Sequence, residues 1–514
     1  MISRSDSLQG MWRLVVVTAL LAVLTLAAII LAGGDIAAAI APVGICAVLC
    51  LLWTAPLRVA LLLLAFFAPV LDGPRLAGGK VTPPTFALGN LLLENLNKTV
   101  GISALSFTGL DCLTAFLILV AVLRRATGSR VDREGQIETA WPLAVAGMIS
   151  LAGTGFEWAY GVSRGGSTQD SLWQVQKIAY VPILFFLFQA AVRGPSDSKR
   201  LLRGIVWAAL IRAGAAVYIA ATFPVPPGGE LAVATTHADS VVFASAFGIV
   251  LASLWEGEVP GHSVRSWLAL AVLTAGMAAN NRRLVWVEVI GIVVTYVLLS
   301  RRTRFQRNLI RAVIVMLPLL VPYVGVGWHS DAGIFKPVRV IRSVTDSDSD
   351  GSTKWRDFEN WNLVYTVADH PLLGSGFGHE YVERWKLPDI SGSYKQYRYM
   401  PHNSVLGLWA SVGVVGFCLI WTQVVAGVFL AARCYRFAHT PAHKALALAA
   451  LGIIVAYVNQ CYGDIGINAW AGVFMLVPAL VSVGKLAVVT GAWPARRRRT
   501  IAVPFAKAAP EMAA

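Results

Sequence analysis

Apolar runs of about twenty residues recur along this chain, separated by short basic or turn-forming stretches, and no other feature limits the fold so strongly. A helix of about twenty apolar residues spans the hydrocarbon core of a bilayer. The runs fall near 11–32, 36–54, 57–71, 105–123, 140–156, 173–192, 201–222, 238–255, 265–280, 284–300, 308–327, 403–432, 444–460 and 467–488. The third is short and is either a span or re-entrant, so twelve to fourteen spans all fit. Hydrophobic residues make up 56% of the 514 and charged residues 14%, against roughly a quarter charged in a soluble protein. Disorder, a coiled coil and an ordinary cytosolic enzyme are excluded. The expected fold class is all-α: a polytopic integral membrane bundle of about 12–14 transmembrane helices with a long loop domain on one side.

The formal net charge is +15, from 43 Lys+Arg against 28 Asp+Glu. In a soluble domain that excess would suggest nucleic acid. Here basic residues orient the spans, and no nucleic-acid partner is expected. Clusters occur at Arg124, Arg125, Arg130 and Arg133, at Arg193, Lys199, Arg200 and Arg203, and from Arg301 to Arg311. Others follow at Arg433, Arg436 and Lys444, and at Arg496–Arg499. Every second connection carries one, which predicts cytoplasmic termini. Loops 223–236 and 461–466 hold no Lys or Arg and are expected on the opposite, periplasmic face. The N-terminal run lacks a convincing cleavage site and reads as a first span. Six cysteines, none in a CxxC, imply neither a disulfide framework nor zinc. The division expected is an N-terminal membrane bundle over 1–327, a periplasmic lid over 328–402, C-terminal spans over 403–490 and a basic cytoplasmic tail over 491–514. Trp355, Trp361, Tyr365, Tyr381 and Trp385 argue that the lid folds.

Charges that break the orientation pattern mark the candidate site. Arg282 and Arg283 occupy a tight turn on the outer face. They either snorkel to lipid headgroups or grip an anion, for which a guanidinium fork suits a diphosphate. Arg356 lies in the lid, and His402 opens a span as His402-Asn403-Ser404. A histidine there is either interfacial or a proton acceptor. His237 and Asp239 start one span, Lys177 and Arg212 sit inside others, and Asp464 and Asn468 edge the last hairpin. Ionisable groups inside spans are costly and default to functional candidates, with a structural ion pair as the alternative. Asp346–Gly351 starts like an EF-hand loop, but its twelfth position is Asp357 and its eighth Thr353, so a solvated acidic turn is the better reading. No metal site and no cofactor are expected.

Several segments together resemble the O-antigen ligase and O-antigen polymerase superfamily. GSTKWRDFENWNLVYTVADHPLLGSGFG and PHNSVLGLWASVGVVGF carry the closest likeness, through Pro371, Gly374, Gly376, Gly378, His402, Asn403, Gly413 and Gly416. Arg283-Leu284-Val285-Trp286 is similar to the family's Arg-x-x-Trp, and THADSVVFAS at 236–245 to a third, weaker segment. The resemblance implies transfer of a glycan from undecaprenyl diphosphate to an acceptor hydroxyl on the periplasmic face, metal-independent and inverting. The acceptor is another glycan or a lipid A-core sugar, so ligase and surface-polysaccharide polymerase both stand. It implies Arg283, Arg356 and His402 as catalytic residues, with Arg282, His237, Asp239, Lys177 and Asn403 expected to bind substrate. It places the enzyme in the bacterial inner membrane among membrane lipids. A non-enzymatic alternative is a lipid-linked oligosaccharide flippase; such carriers usually show two related halves, and none is visible here.

Overall fold

Helices begin where the sequence supplies a cap. The side chains of Thr108, Ser167, Thr303, Asn403 and Thr440 each accept a backbone N–H from the first turn that follows, satisfying a donor the helix itself cannot. Thr108 and Asp111 complete a reciprocal capping box. The computed structural model describes residues 36–72, 84–96, 107–129, 132, 135–222, 234–330, 332–335, 338, 342, 351–392 and 394–495.

Among the described residues the chain is helical and without strands. In order the helices are α1 Ile36–Thr54, α2 Leu57–Leu71, α3 Pro84–Leu93, α4 Gly109–Ala126, α5 Trp141–Ser163, α6 Thr168–Ala191, α7 Pro195–Thr222 and α8 Asp239–Trp255. Then come α9 Val264–Ala279, α10 Leu284–Leu299, α11 Arg304–Gly327, α12 Gly351–Asp369, α13 Ser404–Phe437, α14 Pro441–Gly463 and α15 Trp470–Val489. The protein is a polytopic membrane bundle. Among the described residues six helices (α6, α7, α11, α13, α14 and α15) are long and apolar enough to cross a bilayer, and α2, α8, α9 and α10 are shorter apolar helices. Thirteen of the expected runs coincide with described helices. The run at 11–32, most of loop 223–236, the acidic turn 346–350, Arg130, Arg133 and the Arg496–Arg499 cluster lie outside the described residues.

Burial separates centre from edge. In α15, 89% of the apolar window is buried, whereas none of it is in α11. The central helix α14 packs against α8, α13, α15 and α10. At one end of the bundle Tyr435 links the Arg301 amide to Glu256, Arg433 donates to the Ala492 carbonyl, and Lys199 pairs with Glu258. The expected basic clusters at 193–203, 301–311 and 433–444 therefore share that end.

The Pro-Leu-x-Gly-x-Gly run does something the sequence does not announce. Helix α13 is broken at Gly413, with φ 61° and ψ −171°, and segment 371–376 inserts there. Val414 and Val415 donate to the carbonyls of Pro371 and Leu372 at 2.9 and 3.1 Å, and Ser375 and Gly376 donate to those of Ala410 and Ser411 at 3.0 and 2.8 Å. Irregular backbone within a membrane protein persists where protein satisfies its polar groups, and this segment does so. Added Cβ atoms would lie 2.2 Å from the Leu372 oxygen at Gly413 and 2.3 Å from Ser411 backbone at Gly374, both at positive φ. Gly413→Ala is expected to destabilise the fold by about 1–3 kcal/mol and to loosen the 371–378 segment. Thermal unfolding and limited proteolysis of the detergent-solubilised protein check this.

Candidate active site

The turn after α14 is a meeting point. Asp464 follows the last residue of that helix and is 4% exposed. Its Oδ2 accepts from Arg282 at 3.0 Å and lies 3.5 Å from His237 Nδ1, and Arg282 also touches the His237 ring. The Asp464 carbonyl accepts from Ser404 Oγ at 3.0 Å. The preceding carbonyl, of Gly463, accepts from Arg356 at 3.1 Å. One turn thus joins the α9–α10 hairpin, helix α12 and the start of α13.

Burial alone would raise the Asp464 carboxyl. The hydrogen bond and charge of His237, with the guanidiniums of Arg282 and Arg356, outweigh it and hold the group well below the usual carboxylate range. A carboxyl depressed in the folded state gives stability that is fully present above its unfolded value, near ~3.9, and is lost as pH falls through the folded value. The stability difference between the protein and its Asp464→Asn variant is therefore expected to be constant from pH 7 to about 4 and to shrink only below that. Thermal unfolding against pH reads it.

The arginines are presented by a fixed turn. Asn281 has φ 53°, and the Asn280 side chain, 1% exposed, accepts from the Thr235 backbone at 3.0 Å and donates to the Thr236 carbonyl at 3.1 Å. Arg283 occupies the N-cap position of α10 beside Arg282, and its charge and that of Arg356 both act on Arg282.

His402 is held by α12. Glu359, fully buried, accepts the His402 backbone N–H through Oε2 at 3.0 Å and faces Nδ1 through Oε1 at 3.4 Å. Trp355 meets the imidazole edge to face at 5.1 Å, and the Tyr394 ring lies 6.4 Å away. Residues 355, 356 and 359 occupy successive turns of the same helix, so α12 brings both Arg356 and the histidine's carboxylate partner. With Nδ1 facing a carboxylate, Nε2 is the nitrogen left to take a proton.

Sequence reading missed Glu359, Gln174 and Asn280. Glu359 stands one turn after Arg356, a spacing that puts both on one face of α12. Gln174 is a polar residue inside an apolar helix, three positions from Lys177. Its amide accepts from Gly378 N at 2.6 Å and donates to the Tyr399 carbonyl at 2.7 Å, tethering α6 to both arms of the lid near His402.

Other expected residues make their contacts elsewhere. Asp239 forms a two-point pair with Arg212 (Nε to Oδ1 3.1 Å, Nη2 to Oδ2 2.5 Å), and both side chains are buried. Arg212 also donates to the Asp72 carbonyl, and Asp239 accepts from Thr236 N at 3.0 Å. This pair fixes the entry into α8, next to His237. Lys177 bonds Gln176 at 3.1 Å and lies 5.3 Å from the ring centres of Trp173 and Trp470. Asn403 uses its amide oxygen to cap α13, accepting Leu406 N at 3.1 Å.

Residues 268–421 match the family described as O-antigen ligase. No curated protein matches the chain. The matched segment contains Arg282, Arg283, Arg356, Glu359, His402 and the Gly413 break. His237, Asp239, Lys177 and Asp464 fall outside it. The match supports glycan transfer of the O-antigen ligase or polymerase kind by a membrane enzyme, with a lipid-linked glycan and a polysaccharide acceptor as the general substrates.

Proposed function

We propose that the chain transfers a glycan from undecaprenyl diphosphate to an acceptor hydroxyl on the periplasmic face of the bacterial inner membrane, with both termini cytoplasmic. The observation that carries this reading is the convergence of Arg282, Arg356 and Ser404 on the 463–464 turn, with the Glu359–His402 pair joining the same helix as Arg356 to the residue two before Ser404. The acceptor O–H attacks the anomeric carbon, a new C–O bond forms, and the bond from that carbon to the diphosphate oxygen breaks. The acceptor proton passes to His402 Nε2. Charge develops on the leaving diphosphate, where Arg283 and Arg356 oppose it in a site shielded from water. Arg282, oriented by Asp464, adds to the same positive field. Displacement in one step inverts the anomeric centre.

Glu359 fixes the imidazole and opposes the charge it gains. A hydrogen bond to a charged group is worth about 1.5–3 kcal/mol, so Glu359→Gln is expected to lower turnover roughly ten- to hundredfold with little change in KM. Steady-state kinetics on lipid-linked donor checks the split. A deletion strain tests the function and separates its two forms. Long glycans stranded on the carrier lipid identify a ligase, and single repeats in place of long surface chains identify a polymerase. Unaltered surface glycans contradict both.

A further inference from the structure

We propose that the flank of lid helix α12, with the adjoining loop at 384–385, is a stacking platform for the glycan chain. It deepens the transfer reading above by assigning a second subsite, away from the reacting end of the sugar. Successive residues turn 100° around a helix. The face of α12 turned to the bundle holds Glu359, Asn362, Leu363 and Thr366, all buried. Beside that face Phe358, Trp361 and Tyr365 line one flank at i, i+3 and i+7. Trp361 is 56% exposed and Trp385, on the neighbouring loop, 49%.

These rings are held in place. Trp385 stacks on Phe358 with centroids 5.7 Å apart and planes inclined by 19°. The buried Asn362 amide fixes the loop: its oxygen accepts from Arg384 N at 3.0 Å and Trp385 N at 2.8 Å, and its nitrogen donates to the Trp385 carbonyl at 2.8 Å. Arg384 lies 4.7 Å over the Tyr365 ring and forks onto Asp369 at 2.8 and 3.0 Å. Such rigidity removes much of the ordering cost of binding.

The chemistry of the flank selects the ligand. A pyranose offers one face of C–H groups, which packs on an aromatic plane, and a rim of hydroxyls, which needs donors and acceptors. The indoles supply the plane. Asp357, Asp369, Arg384 and Lys386, all exposed around it, supply the rim. Interfacial tryptophans also contact lipid headgroups, but those belong to the ends of spanning helices, whereas this flank lies on a lid helix with exposed charges at Lys354, Asp357 and Asp369. The platform is continuous with the site, since Phe358 immediately precedes Glu359, whose carboxylate holds His402. A glycan with one end at His402 extends along this flank.

The test uses full-length protein in lipid nanodiscs. The probe is oligosaccharide released by mild acid from the surface polysaccharide of the cells that make the protein. Calorimetry is expected to show binding about tenfold weaker for Trp385→Ala and for Trp361→Ala, with Trp385→Phe close to the unsubstituted protein. Trp361, the more exposed ring, keeps the test decisive if Trp385→Ala unfolds the lid. Equal affinity in all variants overturns the platform. So does quenching by headgroup-depth brominated lipid that disappears in the same variants, which assigns the rings to the membrane surface. Binding is read without turnover. Ring-dependent binding by a protein that transfers nothing overturns the transfer reading and leaves the platform. Normal transfer with ring-independent binding does the reverse.

Discussion

His402→Ala is expected to lower glycan-transfer turnover by about 10²–10⁴-fold, the usual contribution of a positioned general base. The expectation follows from how the imidazole is held. Its backbone N–H and Nδ1 both face the buried Glu359 carboxylate, and Trp355 packs edge-on against the ring. Alanine removes the proton acceptor while leaving the Asn403 cap, the Ser404 bond to Asp464 and the start of α13 in place. Membrane insertion and thermal unfolding are therefore expected to stay close to those of the unsubstituted protein. Turnover by purified protein, normalised to folded material, is the measurement. A deficit smaller than about fivefold would be too small for a general base.

Arg356→Ala is expected to lower turnover by about 10²–10³-fold, the loss typical when one preorganised donor to a developing charge is removed. Arg356 bonds the Gly463 carbonyl, so the lid helix presents its guanidinium beside the Arg282–Asp464 pair. Lysine at 356 restores the positive charge without the planar fork, and Arg356→Lys is expected to recover only part of the activity. The deficit is expected mainly in kcat, because the charge on the leaving diphosphate grows in the transition state. A change confined to KM would make Arg356 a ground-state binding residue instead.

The membrane architecture was legible because apolar run length is a local signal. The helix limits of α2, α8 and α10 coincide with their apolar runs almost residue for residue. The lid interior was hidden for the opposite reason. Nothing in the sequence singles out the polar residues Glu359, Asn362 and Thr366, yet all are fully buried, because the backbone and side-chain groups they serve come from residues 382–402. The break in α13 was equally hidden. Gly413 lies in an apolar run that reads as one continuous span, and only the docking of 371–376 reveals why the helix opens. Arg212 was flagged as a costly charge inside a span and Asp239 as a residue at the start of another; their pairing across 27 residues could not be read from either alone. Orientation and motif together pointed to Arg283, Arg356 and His402; it is the neighbouring Arg282 that bonds Asp464, next to the Arg356 bond to Gly463. The turn that gathers Arg282 and Arg356, Gly463–Asp464, carries one acidic residue and gave only a weak signal.

The most direct measurement follows both products of the reaction. Purified protein in lipid nanodiscs is given a defined glycan on undecaprenyl diphosphate and an acceptor glycan. The account predicts one free undecaprenyl diphosphate for each glycan attached to the acceptor, with His402→Ala and Arg356→Ala both deeply impaired. Carrier lipid that stays glycosylated under these conditions, or product formed as fast by the two variants, would contradict it.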